Sequence, residues 1–391
     1  MLGKDANYVP GWDCHGLPIE WKVEEEYRAG KNKDEVPILE FRQECRDFAA
    51  KWIAIQSEEF QRLGVIGDWK DPYKTMALKA EAQIAREIGK FAMNGSLYRG
   101  ARPVVEKTAL ADAEVEYHDH TSHTIHVAFP VAEGKGVPED ASVVIWTTTP
   151  WTIPGNRAIA VAAEEPYVAL RVTEAGEGSM AAVGAIYLVA EPLIENFCRD
   201  AKIAAHEVVA TFRGEDLVGT VCHHPLHGQG YDFEVRVFAG DFVTMDAGTG
   251  FVHIAPGHGA DDFVLGKANG VEVPETVGPD GAYFRHVPLF AGKRVYTDQG
   301  KEGDANKAVI EALKAAGKLL SAGRIRHSYP HSWRSKAPLI FRNTPQWFIS
   351  MDDTGLRDTA LAAIDATRFV PQAGRNRLYS MIEGRPDWCI S

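Results

Sequence analysis

In the first hundred residues the apolar positions recur at the spacing of a helix face. Between Ile38 and Leu63, the residues Phe41, Cys45, Phe48, Trp52, Ile55 and Phe60 return every three to five positions, which predicts one long amphipathic helix. Further helices are predicted over 19–28 and over 75–93, the latter stopped by Asn94-Gly95. The pattern changes near Ala113. From there to about Val295 the chain carries short apolar runs, among them HTIHVAFPV, SVVIWTTT, YVALRV, AHEVVATF and TGFVHIAP, separated by Gly-, Pro- and Asp-rich turns. Many short strands with few helices predict a β-barrel-like domain, interrupted by helical pieces near 191–199 and 305–319. RIRHSYPHSWRSKAPLIFRNTPQWFIS then returns as extended chain, followed by a helix over 355–367. A β-rich segment between two α-containing ones has the shape of an insertion. The expected divisions are 1–110, 111–322 and 323–391.

Composition narrows the class. With 391 residues, 45% hydrophobic and 25% charged, the chain can hold two or three globular domains. Its five cysteines are scattered and form no CxxC pair, so reduced thiols and a cytoplasmic setting are expected. No long apolar run predicts a membrane span. A net charge of −12 argues against non-specific nucleic-acid binding by the whole surface. Locally the balance reverses. From Leu313 to Met351 there is no Asp or Glu, while Lys314, Lys318, Arg324, Arg326, Arg334, Lys336 and Arg342 are present, as on a phosphate-binding footprint or a solvated face.

Two stretches carry the candidate chemistry. WTTTPWTIPGN (146–156) crowds Thr147, Thr148, Thr149 and Thr152 between tryptophans. Pro150 and Pro154 end the strand, so the hydroxyls form either an ordinary strand end or a row of donors and acceptors for a polar ligand. GTGFVHIAPGHGADDF (248–263) runs a strand into a Pro-Gly turn followed by His258, Asp261 and Asp262. The carboxylates read as a solvated loop or helix cap, or as partners for an ammonium group. A third reading joins them with His253 and CHHPLHG (222–228) as a metal-dependent hydrolase, although the spacing is looser than metal sites use.

Together with PGWDCHGLPIEWKVE (10–24), SYPHSWRSKAPLIFRNTPQWF (328–348) and EGRPDWCIS (383–391), these blocks resemble the isoleucyl-tRNA synthetase family, in order and over essentially the whole chain. Trp12, Cys14 and His15 match the isoleucyl pattern against the valyl and leucyl ones. The resemblance implies split remnants of a class I Rossmann catalytic domain with an inserted β-barrel-like editing domain. It implies hydrolysis of valine wrongly attached to tRNA(Ile), because one methylene offers only about 1–3 kcal/mol of discrimination, a limit for which isoleucine and valine are the standard illustration. By the same resemblance Thr147, Thr148, Thr149, Thr152 and Asn156 line the editing pocket, Asp262 binds the substrate ammonium, and His253 narrows the pocket against isoleucine. Asp13 and Trp388 match the synthetic site for isoleucine. Implied partners are the tRNA(Ile) acceptor end and valine and isoleucine esters, acting on a monomer with no membrane.

The 391 residues contain neither the HIGH-type nor the KMSKS-type signature for ATP, and RPVVEKTAL at 102–110 is shorter than the family's usual segment. The expectation is therefore an internal fragment with a whole editing domain and no cofactor of its own. ATP and Mg2+ belong to aminoacylation by the full-length enzyme. A non-catalytic tRNA-binding module and a metal-dependent hydrolase stay open as alternatives.

Overall fold

The computed structural model describes residues 7–27, 35–105, 115–297, 300–332 and 336–390. The chain divides into two units, Met1–Gly100 with Trp347–Ser391, and Ala101–Gln346. Arg334 and residues 106–110 of the short segment lie outside the described residues.

The first unit begins with β1 (Gly11–Trp12), α1 (Leu17–Tyr27) and α2 (Ile38–Arg62), followed by β2 (Tyr73–Lys74) and α3 (Leu78–Met93). β1 and β2 pair in parallel. The stripe read from the sequence packs with its N-terminal half: Phe41 is buried with Val23 and Tyr27 of α1, and Cys45 and Phe48 lie against them. Trp52 and Phe60 are 44% and 46% exposed, so the stripe continues on to the surface. α3 ends at Asn94, and Gly95 takes the left-handed φ of +81° that a helix terminator needs. β3 (Leu97–Val105) leads towards the second unit.

The second unit is a mixed α/β body built on β4 (Val115–Glu133), a strand of 19 residues. Its length lets it serve several partners. β5 (Ala141–Thr147) pairs antiparallel with its middle. After β5 come β6 (Ala158–Val161), β7 (Pro166–Ala175), β8 (Ile186–Ala190), α4 (Ile194–Asp200), β9 (Ile203–Arg213), α5 (Gly214–Leu217), β10 (Val221–His223), β11 (Glu234–Ala239), β12 (Phe251–Ile254), α6 (Ala260–Ala268), α7 (Ala305–Ala315) and β13 (Leu319–Ser332). The strand order is β12-β6-β11-β10-β4-β5-β8-β7-β9, with β13 also on β4.

This sheet does not support the barrel-like expectation. Among the described residues its path ends at β12 on one side and β9 on the other without closing. Alternation along the central strands explains why it reads as β-rich yet stays open. Ile125, Val127 and Phe129 of β4 and Val143 and Ile145 of β5 point into one core. Ala128 and Val144 point into another, with Leu170, Val189 and Phe197. Both faces are covered, and each buried Ile or Phe contributes roughly 1.5–3 kcal/mol.

The return segment comprises β14 (Phe341–Ile349), α8 (Leu356–Ala366), α9 (Ala373–Glu383) and β15 (Trp388–Cys389). β14 lies between β15 and β3 in a three-stranded sheet. The unit boundaries fall at 100/101 and 346/347, whereas the sequence places them at 110/111 and 322/323. The reason is β13, whose pairing with β4 runs from Leu319↔Val127 to Ser332↔Val115 and ties residues beyond 322 to the inserted body.

Candidate functional site

Pro150 closes β5 as its missing N–H requires, and Pro150–Gly155 winds into a 3-10 turn whose six residues are all buried. The threonines therefore sit on a strand end and a tight turn, and their hydroxyls meet. Thr149 N–H donates to Thr147 Oγ1 at 3.1 Å, and Thr149 Oγ1 lies 3.2 Å from both Thr147 Oγ1 and Thr152 Oγ1. Thr152 Oγ1 donates to Thr149 O at 2.8 Å.

β12 supplies the next group. His253 Nε2 is 2.7 Å from Thr152 Oγ1, and Asn156 Nδ2 is 3.0 Å from His253 Nδ1. The same Asn156 Nδ2 donates to Ala158 O at 2.9 Å, which fixes it as the amide nitrogen. His253 Nδ1 must then accept, so the ring proton sits on Nε2 and is given to Thr152. Burial, reinforced by His258, pushes the His253 imidazole down to about 3, in keeping with this neutral form. The direction of every bond from Asn156 to Thr152 is thereby determined. Beyond Thr152 the direction is open, and Thr149 Oγ1–H retains a choice. Its two 3.2 Å contacts are long for O–H···O bonds, so it gives up little in turning to an outside oxygen.

That hydroxyl reaches a cleft. Thr148 and Thr149 line a small open cleft together with Trp151, Asn306, His123 and Glu302, among others. Thr147, Thr152, Asn156 and His253 are buried behind it. Asn156 Oδ1 is a buried acceptor with no partner.

Asp262 comes from the first turn of α6, a helix that the sequence offered only as a possible cap. Its Oδ2 accepts the Ala255 N–H at 2.8 Å, just past β12. Burial pushes its carboxyl up to about 6, Asp261 adds to this, and the Ala255 N–H works against it. Asp261 and Asp246 are exposed. His258 holds the turn between them, with Nδ1 2.8 Å from Phe341 O and its ring edge-on to Trp151 at 4.8 Å. Asp262 is not among the residues lining the cleft.

Asp13 and Trp388 belong to the other unit. Asp13 is exposed and accepts from Thr75 Oγ1 at 3.4 Å, and Trp388 is 46% exposed on β15. In the basic stretch, Arg326 on β13 pairs with Asp119 on β4, and Lys336, past the end of β13, pairs with Glu116.

The histidine-rich metal reading meets specific obstacles. His224 donates Nε2–H to Ile153 O and accepts the Leu226 N–H at Nδ1, and His253 is committed at both nitrogens. Neither has a lone pair for a cation, and among the described residues no three His, Cys, Asp or Glu side chains converge as ligands. Among the described residues, no helix is long and apolar enough to cross a membrane.

The cleft residues His123, Glu302 and Asn306 were missed by sequence reasoning. For His123 the available signal was its place at the head of HTIHVAFPV, a run that reads simply as a strand.

A strand-end threonine array backed by an imidazole thus sits on the unit that interrupts the other in sequence. The chain matches the family described as tRNA synthetases class I (I, L, M and V) over residues 1–391, and it belongs to that family. Within it the chain is similar to the isoleucine–tRNA ligase of Gluconobacter oxydans (strain 621H), 54% identical over 405 residues, covering 100% of this chain and 42% of that protein. The isoleucine–tRNA ligase of Pelagibacter ubique (strain HTCC1062) is 52% identical over 397 residues, covering 100% and 43%. The chain thus spans about two-fifths of the length of these relatives. Among solved structures, the P. knowlesi cytosolic leucyl-tRNA synthetase editing domain overlaps 37% of this chain and 62% of its own, at 14% identity and a TM-score of 0.31.

Proposed function

We propose that the Ala101–Gln346 unit is an aminoacyl-tRNA deacylase that releases valine from mischarged tRNA(Ile). The other unit is then part of the split Rossmann domain of an isoleucine–tRNA ligase. The observation that carries this reading is the directed chain Asn156–His253–Thr152–Thr149, which ends in an available hydroxyl on a cleft. Hydrolysis of an ester builds negative charge on the carbonyl oxygen, and a hydroxyl held in place to donate there lowers the barrier. By the family resemblance, and not by the cleft lining, Asp262 is assigned the α-ammonium of the amino acid. His253 acts from behind Thr152 as a spacer that keeps the site too small for isoleucine.

Asp13 and Trp388 are proposed for the isoleucine-binding site of the ligase. ATP and Mg2+ serve aminoacylation in the longer ligases. These 391 residues contain neither ATP signature, so no step is assigned to them.

The test is to incubate the chain with valyl- and isoleucyl-tRNA(Ile) and measure release of each amino acid. Selective release of valine is expected. Release no faster than in buffer would sink the deacylase reading, and tRNA binding without release would leave a non-catalytic binding module. Loss of activity on chelation, restored by zinc, would favour the metal hydrolase.

A further inference from the structure

A carboxylate–imidazole pair faces the cleft, and the reading above gives it no task. His123 on β4 places Nε2 2.7 Å from Glu302 Oε1, with the side chains 22% and 42% exposed. The same Oε1 accepts from Asn306 Nδ2 at 3.1 Å, and Asn306 Oδ1 accepts the Trp151 N–H at 3.1 Å. Glu302 therefore fixes two things, the His123 ring and, through Asn306, the start of the threonine turn. A carboxylate only accepts, so Nε2 of His123 carries a proton, and in the neutral form of the ring the lone pair is at Nδ1. A base oriented by a third group, lining one cleft with a donor for the oxyanion, is the recurring layout of acyl hydrolysis.

We propose that His123 is the proton acceptor for the hydrolytic water, and that Glu302 is its positioning residue. This rests on the deacylase reading. As the water oxygen bonds to the ester carbonyl carbon, one water proton passes to His123 Nδ1 and the carbonyl π pair moves on to oxygen, where Thr149 Oγ1–H donates. Collapse reforms the C=O bond and breaks the bond to the ribose oxygen, which takes the proton back from Nδ1. The products are the free amino acid and the terminal ribose hydroxyl, and the ring ends as it began. Glu302 takes no proton. It holds the ring and offsets the imidazolium charge during the step. The other groups facing His123 are Arg324, its register partner on β13, and His120, Tyr296 and Tyr329 in the same cleft.

His123→Asn in the full chain tests this, because an amide can keep the bond to Glu302 but cannot accept a proton at neutral pH. With valyl-tRNA(Ile), kcat should fall about 100- to 10,000-fold with KM nearly unchanged. The limb of rate against pH due to the imidazole should disappear. His123→Ala should behave alike and be partly rescued by added imidazole, and Glu302→Gln should lower kcat about tenfold. Hydrolysis by His123→Asn within about threefold of the parent would overturn the proposal. So would a loss in both His123 variants that keeps the parent pH profile and ignores imidazole, which would mark a structural role. A parent that releases no valine would remove the deacylase reading and this one with it, whereas an active parent with an active variant removes only this one.

Discussion

At the scale of single residues the proposed site separates charge from bulk. An ammonium left without its carboxylate in a partly desolvated site loses a few kcal/mol, so Asp262→Ala should slow valyl-tRNA(Ile) hydrolysis about 100-fold or more. Asp261, which is exposed, should matter far less when changed to Ala. His253→Ala removes volume behind Thr152 and should let isoleucyl-tRNA(Ile) be hydrolysed as well. Deacylation rates on both esters check these outcomes, and an Asp262→Ala protein at the parent rate would remove the ammonium role. The same carboxylate has a cost for the fold. Its folded pKa, pushed up to about 6 by burial from an ordinary 3.8, lies above the unfolded one. Its contribution to stability is therefore full below about pH 3.8 and lost as pH rises through about 6. Asp262→Asn should gain roughly 1–2 kcal/mol at pH 7.5, after allowance for partial exposure, and nothing at pH 3.5. Urea unfolding at the two pH values reads this directly, and equal stability of parent and variant at pH 7.5 would contradict it.

At the scale of elements, the turn from β12 into α6 sets where Asp262 sits. A Cβ on Gly259 would lie 2.8 Å from Asp262 Cγ, too close to tolerate without moving the carboxylate. Gly259 has φ −149°, so a side chain there meets no backbone strain and the effect would come through Asp262. Gly259→Ala should therefore fold normally by circular dichroism and lose most valyl-tRNA hydrolysis, and full retained activity would count against the placement. Elements of this kind mark what the sequence disclosed. α2, α3 and α7 were legible because apolar periodicity and an Asn-Gly stop are local signals. α6 and α9 were not, since α6 opens in a Gly-rich stretch with paired acids and α9 has no buried residue to impose a period. The threonine array was legible as an oddity of composition. Its wiring was not, because Thr152 and His253 are 101 positions apart and only β12 pairing with β6 beside the 3-10 turn brings them together. His123, Glu302 and Asn306 escaped for the same reason, being joined across the fold and not along the chain.

At the scale of the whole inserted body, two properties follow from what is buried. His126, His224, His253 and His258 are neutral inside it, pushed by burial down to about 4, 3, 3 and 4. Each folded pKa lies below the unfolded value, so each contribution to stability is present above about pH 6.5 and lost as pH falls towards 4 and 3. A one-unit shift is worth about 1.4 kcal/mol, so several such groups weigh heavily against the roughly 5–15 kcal/mol that holds a domain. Unfolding of the chain should thus become steeply acid-sensitive below about pH 5.5, with net proton uptake measurable by titration. A stability profile flat from pH 7 to 4.5 would mean that these rings are not buried neutral. The second property concerns the cut. A segment of 111–322 ends β13 at Ala322 and strips β4 of its partner from Thr124 to Val115, leaving a long unpaired edge. It also removes Tyr329 and Phe341, whose side chain and carbonyl contact the cleft and His258. A 101–346 segment keeps all of these. It should fold on its own with dispersed proton NMR signals and hydrolyse valyl-tRNA(Ile), while the 111–322 segment should aggregate or unfold at lower urea. Equal stability of the two would show that the β4–β13 ribbon lends nothing to the body it joins.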